Sequence, residues 1–245
     1  MSKKRIVIIG IIIVLIGVMA FSLYNILKIL KEYRDVEKED ERLRTEFIST
    51  EKSDEEDEYR IKIKWKKLLE ANPDVIAWVD IPDTHISYPI LKGETNDEYL
   101  YLDINRNYLK SGSIFVESTQ KNPFVDFNTI VYGHNLRNGS MFSDLEKYTN
   151  TKFAKKHPIV YIYTPDDNCL EYQVFSLQRT TSYNSDIYQI DIEDEEEYID
   201  IAQRDSLIQT KIDETKISSI LTLSTCTNAY YEERYVLHAV LLDDE

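Results

Sequence analysis

The hydrophobic pattern changes period along the chain, and each change predicts a different element. Ile6 to Leu27 is a run of 22 residues with no charge, apolar on every side. At about 1.5 Å per residue it makes a helix of about 33 Å, enough to cross a hydrocarbon layer of about 30 Å. Beyond it, Leu43, Phe47 and Ile48 leave only a sparse apolar face among charges. Glu37, Glu41 and Arg42 with their neighbours suit an exposed helix with i,i+4 pairs. The run Glu51 to Glu58 reads as a solvated hinge, and 31–58 as a spacer with no chemistry of its own. Trp65, Leu68 and Leu69 return to helical spacing until Asn72-Pro73 stops them.

After that stop the pattern is β-rich. Short runs divided by turn residues predict strands at Val75–Ile81, Ile86–Leu91, Ser113–Val116, Thr129–Tyr132, Ile159–Thr164, Leu170–Arg179, Lys216–Thr225 and Tyr235–Leu242. Eight short strands in one unit imply a barrel or a sandwich. Helical inserts interrupt them. The clearest is Glu193–Gln209, where Tyr198, Ile201, Ala202 and Leu207 give apolar points and Glu193 to Glu197 load the N-terminal turns with favourable negative charge. The fold expected is therefore mostly β with helical inserts, an α+β unit over 59–245, behind a charged helical stalk over 31–58 and an anchor over 1–30.

Charge sharpens this division. The chain carries a net −15, of which residues 1–30 hold +4, so the remainder holds −15 − 4 = −19. Such a body lacks the basic face a nucleic-acid binder needs, and no nucleic-acid partner is expected. Lys3, Lys4 and Arg5 favour a cytoplasmic N-terminus, so the body is expected outside the cell, on a single-pass anchor held in membrane lipid through residues 6–27. A cleaved signal peptide fits less well. Gly17 to Ala20 lacks a clean A-x-A site, and the apolar run continues past it. The six Gly cannot compose a dinucleotide fingerprint or a P-loop. Two Cys cannot build a disulfide scaffold or a four-Cys zinc site.

Those two Cys differ in setting. Cys226 closes the apolar run Ile220 to Thr225, at a strand exit where side chains become accessible. Eight residues on, Arg234 opens the next strand. If these strands pair, both side chains look into one groove, where the cation favours a thiolate and can stabilise an oxyanion. The alternative is a buried, inert thiol. His134 follows the strand Thr129–Tyr132 and Gly133, so it also sits past a strand end and suits the acid–base partner of a Cys. His85 lies in a turn, His157 is expected at the surface near a helix end, and His238 is mid-strand, facing solvent or satisfied inside. Cys169, in a turn leading into a strand, reads as incidental. No ligand spacing supports a metal, and no cofactor is expected.

The run Thr222-Leu223-Ser224-Thr225-Cys226 with Arg234 resembles the signature of sortases, membrane-anchored cysteine transpeptidases of Gram-positive bacteria. Tyr132-Gly133-His134-Asn135-Leu136-Arg137-Asn138-Gly139-Ser140-Met141-Phe142 is similar to the histidine region of class B sortases in particular. So are Asn72 to Trp78, Tyr88-Pro89-Ile90 and Lys110 to Phe115. The resemblance covers roughly residues 60–242. It implies an eight-stranded β-barrel with N-terminal helices and an extra helix between strands 6 and 7. It also implies cleavage of a C-terminal sorting signal after its Thr through a Cys226 thioester, with His134 as proton donor and Arg234 holding substrate and oxyanion. Ser224, Thr225, Asn96, Leu100 and Tyr188 are implied groove residues. The partners implied are surface proteins bearing a sorting signal and an amine of peptidoglycan or its lipid-linked precursor. A pilin lysine is the alternative acceptor. An L,D-transpeptidase also uses Cys and His on a β-rich fold, but its Ser-His-Gly-Cys type of motif is absent. A non-enzymatic anchored adhesin would have no reason to place Cys, His and Arg together at strand exits.

Overall fold

A computed structural model of the chain describes residues 3–49, 60–208, 210, 212, 217–227, 229 and 232–242. Its first element, α1 (Lys3–Phe47), is one helix of 45 residues. No Gly or Pro falls between residues 18 and 47 to break it, so the apolar run and the charged stretch after it are one continuous helix. Its N-terminal part, with apolar side chains exposed from Ile6 to Leu30, is long and apolar enough to cross a membrane. Past Lys31 one stripe turns inward. Val36, Leu43 and Phe47 are buried, at the i, i+7, i+11 spacing of a docking face, and Leu43 and Phe47 join the main core. Residues read from the sequence as spacer thus carry core side chains. Ile48–Ser49 then pairs antiparallel with Lys62–Ile63, and Lys64 N donates to Phe47 O at 2.7 Å. The hinge expected at Glu51 to Glu58 lies outside the described residues.

The helix expected around Trp65 is α2 (Trp65–Ala71). Asn72 ends it by turning extended, and its buried amide donates to Tyr99 Oη and Ile104 O, both at 2.9 Å. Eight strands follow: β1 (Val75–Asp80), β2 (Ser87–Leu91), β3 (Ile114–Val116), β4 (Asn128–Tyr132), β5 (Ile159–Tyr163), β6 (Cys169–Thr181), β7 (Ile220–Cys226) and β8 (Glu233–Leu241). They close into a barrel in the order β8-β6-β5-β1-β2-β3-β4-β7. The pairs β2–β3 and β4–β7 are parallel and the rest antiparallel. Closure leaves the barrel no open edge among the described residues. The expected strand start at Lys216 lies outside the described residues.

Two apolar clusters sit on the two sides of the barrel wall. Alternation along β7 sends Leu221 and Leu223 into the main core, while Ile220 packs outside with Phe175, Tyr198, Ile199, Ala202 and Val240. The cover over that outer face is α4 (Glu195–Gln203), between β6 and β7; α3 (Thr151–Lys156) lies before β5. The extra helix is shorter than the Glu193–Gln209 span expected. Asp194 caps its start by accepting from Glu197 N at 3.0 Å. At its end, strand side chains take the last carbonyls: Gln178 Nε2 donates to Ile201 O and Arg204 O, and Ser176 Oγ to Ala202 O. Leu207, expected on the apolar face, is exposed.

Two histidines differ from expectation. His157 is buried rather than at the surface. Its Nδ1 pairs at 2.9 Å with Pro82 O, which is 75 residues away in sequence, and its ring packs on Phe153. His238 is fully buried, but between the barrel wall and α4 rather than inside the barrel, against Phe175 and Tyr198.

Candidate active site

The register of three neighbouring strands assembles the site. On β7 and β8, Cys226 and Arg234 are directly opposite. Thr227 N donates to Glu233 O at 2.9 Å, so that adjacent pair is hydrogen-bonded and Cys226–Arg234 is a non-hydrogen-bonded pair. In such pairs the side chains share a face at their closest approach. On the other flank, β4 runs parallel to β7 with Tyr132 opposite Ser224, and Gly133 N continues the ladder to Ser224 O at 3.1 Å. Two residues further on both strands lie His134 and Cys226. His134, just past the end of β4, thus comes beside the row that Cys226 and Arg234 form on β7 and β8, and all three line one cleft. Gly133 is required at this approach, because a Cβ there would collide with Ile114 and the Phe142 ring.

Beyond the row the chain folds back. Phe142 N donates to His134 O at 2.9 Å and Asn135 bridges to Met141. Asn135 Nδ2 donates to Cys226 O at 3.0 Å, tying this turn to the end of β7. His134 Nε2 bonds Leu100 O at 2.9 Å. A carbonyl only accepts, so Nε2 carries the proton and the neutral ring has its lone pair on Nδ1. Burial pushes the His134 pKa below the ordinary imidazole value. The Leu100 bond opposes this, and the Arg234 charge adds to the lowering. At neutral pH the ring is neutral.

A cleft of about 230 Å³ opens over the row. It brings together Cys226, His134 and Arg234 with Ser224, Thr225, Asn96 and Leu100. Tyr188 lies in a neighbouring hollow of about 410 Å³, with Ser182, Tyr183 and Ser185. Tyr132 and Arg234 line both spaces. Tyr188 still reaches the row: its hydroxyl meets Ser224 Oγ at 2.9 Å. Burial raises its pKa.

Sequence reasoning missed three residues here. Glu117 accepts from Asn96 Nδ2 at 2.6 Å and Tyr132 Oη at 3.1 Å, so it braces one wall of the cleft. Tyr101 lies 5.8 Å from the His134 ring. Asn135 holds the Cys226 carbonyl. Only Asn135 had a signal, its place directly after His134. Cys169, at the start of β6 opposite Tyr163, is outside the cleft.

Comparison with known proteins gives a consistent picture. The sortase domain family matches residues 79–242. The chain is similar to sortase B of Listeria monocytogenes serovar 1/2a, 35% identical over 189 residues covering 74% of this chain and 75% of that one. It is similar to sortase B of Staphylococcus aureus, 34% identical over 177 residues covering 70% and 71%. The structure of a Staphylococcus aureus sortase B–substrate complex superposes with a TM-score of 0.67 at 28% identity, covering 86% of this chain and 95% of that chain.

Proposed function

Since this chain belongs to the sortase family, in its class B branch, and is a cysteine transpeptidase, we propose that Cys226 is its nucleophile, His134 its proton carrier and Arg234 the group that holds substrate and oxyanion. The observation that carries this reading is the cleft lined by His134, Cys226 and Arg234, with Cys226 and Arg234 directly opposite on neighbouring strands and His134 two residues past Tyr132 on the strand flanking Cys226. The substrates are surface proteins with a C-terminal sorting signal, cleaved after Thr. The acceptor is an amine of peptidoglycan or of its lipid-linked precursor. The chain works as a single-pass membrane protein, N-terminus in the cytoplasm and barrel outside, with α1 as the anchor.

The neutral imidazole sets the proton path. As Cys226 Sγ bonds to the Thr carbonyl carbon, its proton passes to His134 Nδ1. Arg234 faces the oxygen that gains charge, through a planar fork with several donors. The imidazolium then protonates the leaving amine as the C–N bond breaks, which leaves a thioester. The acceptor amine attacks the thioester carbon and loses a proton to the ring; as the C–S bond breaks, the ring returns that proton to Cys226 Sγ and the thiol is restored.

Mass spectrometry of the acyl-enzyme formed with a library of Thr-containing pentapeptides tests this. Wild type should gain the mass of the acyl fragment and Cys226→Ala should gain none. Cys169→Ala should turn over within a few-fold of wild type. Normal turnover by Cys226→Ala removes the assignment. A product joined through a pilin lysine makes the chain a pilin polymerase, and a chain that acylates with no peptide is better read as an adhesin.

A further inference from the structure

The barrel is fixed to α1 close to the point where the helix leaves its apolar span. Glu32 lies five residues past Leu27, about 7.5 Å further along the axis. Lys110 Nζ meets Glu32 Oε2 at 2.7 Å. Lipid headgroups add about 5–8 Å on each side of a hydrocarbon core of about 30 Å. The loop that carries Lys110 is thus held at headgroup level whenever the span is filled.

That loop is compact. Leu102 bridges to Tyr108, and Leu109 N donates to Tyr101 O at 3.0 Å. It turns two aromatic rings outward: Tyr108 is 76% exposed and Tyr101 47%, with ring centroids 6.3 Å apart. Tyr108 is two residues from Lys110, at most about 7 Å along an extended chain. A Tyr ring with an apolar body and a polar tip is the side chain favoured at the membrane–water interface. Lys28, Lys31 and Arg34 add cations on the same stretch of α1.

The geometry points to loop 101–110 as a membrane-surface contact, with Tyr108 set among the phospholipid headgroups of the leaflet from which α1 emerges. The inference rests on the reading of α1 as an anchor. Lipid is the occupant because the loop's height is set by a helix whose preceding turns are in the bilayer. One consequence concerns the cleft. Tyr101 joins Tyr108 to His134, so the cleft lined by His134, Cys226 and Arg234 opens beside the bilayer, where substrates and acceptors with a membrane-held end are found.

The test uses the full chain in vesicles of phosphatidylcholine and phosphatidylglycerol. Cys169→Ser and Cys226→Ala remove the native thiols, and an environment-sensitive fluorophore is placed at Tyr108→Cys. A control label goes at Asp166→Cys, in the β5–β6 turn. Residues of β5 and β6 meet Ile61 and Arg60, close in sequence to Lys64, whose N bonds Phe47 O at the end of α1; Phe47 is about 22 Å from Glu32 along the helix. A nitroxide on the lipid headgroup should remove most of the emission at 108 and leave that at 166 nearly unchanged. If Tyr108→Cys does not fold, Asn105→Cys reports on the same loop. Equal quenching at the loop and the control overturns the proposal even when the chain floats with the vesicles. A chain that does not float overturns the proposal and the anchor together.

Discussion

At Arg234, shape and charge can be separated. Its neighbour Glu233 is occupied by Arg179 at 2.8 Å and by Thr227 Oγ1 at 2.7 Å, while Arg234 itself donates to the Glu233 carbonyl at 3.0 Å. If Arg234 only closed a surface ion pair, about 0–1 kcal/mol would be at stake and Lys would serve. As an oxyanion and substrate holder it needs its fork, so Arg234→Lys should lower kcat/KM by about 10²–10³-fold. A value within a few-fold of wild type would leave a Cys–His dyad. With His134 in its proposed role as proton carrier, His134→Ala should cost about 10²–10⁴-fold. The lowered His134 pKa has a sign that can be read. The ring loses its base only when pH falls through that lowered value, so the acid limb of kcat/KM should lie below the ordinary imidazole pKa of about 6.5. Removing the cation in Arg234→Gln should raise the His134 pKa, followed by NMR titration of its ring. The pairing of Cys226 with Arg234 was legible because consecutive strands bring them opposite each other. The place of His134 beside them was legible from its position just past the end of a strand. Glu117 and Tyr101 were not, because their roles arise from contacts with residues brought near only by the barrel.

The strands were legible as elements, since β-branched and aromatic runs between turn residues mark them directly. The docking face of α1 was legible only in part: Leu43 and Phe47 read as a sparse apolar face, but not as one that docks on the barrel. Val36, Leu43 and Phe47 are three apolar positions in a stretch dominated by acids, and their burial depends on a partner surface distant in sequence. This affects where the domain can be cut. A soluble chain beginning at Lys31 keeps Leu43 and Phe47, whose burial is worth about 1.5–3 kcal/mol each. One beginning at Tyr59 loses both, and should unfold at markedly lower urea concentration; coincident midpoints would show that α1 does not stabilise the barrel. Within the same face, Asp40 accepts from Tyr88 Oη at 3.0 Å, and Tyr88 in turn accepts from Met141 N at 3.0 Å in the turn after His134. Burial raises the Asp40 pKa to about 6, against an ordinary value of 3.8. The folded state therefore binds a proton that the unfolded state does not between about pH 6 and 4, and this group stabilises on acidification across that window. Asp40→Asn should abolish that contribution, seen as a change in the slope of unfolding free energy against pH between those values.

For the whole molecule, the opposite sign comes from His238. It is buried between barrel and α4, with Nδ1 on Thr222 Oγ1 at 3.1 Å, and Thr222 donates to Asn128 Oδ1 at 2.7 Å. Asn128 donates to Tyr198 Oη at 2.8 Å, so the network joins β4, β7, β8 and α4. Burial lowers the His238 pKa from 6.5 to about 3. The unfolded chain binds its proton first, so the stability from keeping this ring neutral is full above about pH 6.5 and is lost as pH falls toward 3. His238→Gln should flatten the acid dependence of unfolding above pH 4.5, where ordinary carboxylates have little influence; an unchanged slope would assign the loss elsewhere. The sequence left His238 open because mid-strand placement does not say which face is covered. The barrel's order of closure bears on how the chain reaches its folded state. β7 and β8 are the last strands in sequence, yet β7 is the neighbour of β4 and β8 is the neighbour of β6. Until that final hairpin docks, the first six strands form an open sheet with β4 and β6 as unpaired edges. A chain whose last two strands are not yet docked would leave those two edges free to recruit other strands. It would also lack the proposed site, because Cys226 and Arg234 both arrive on the pair of strands that closes the barrel.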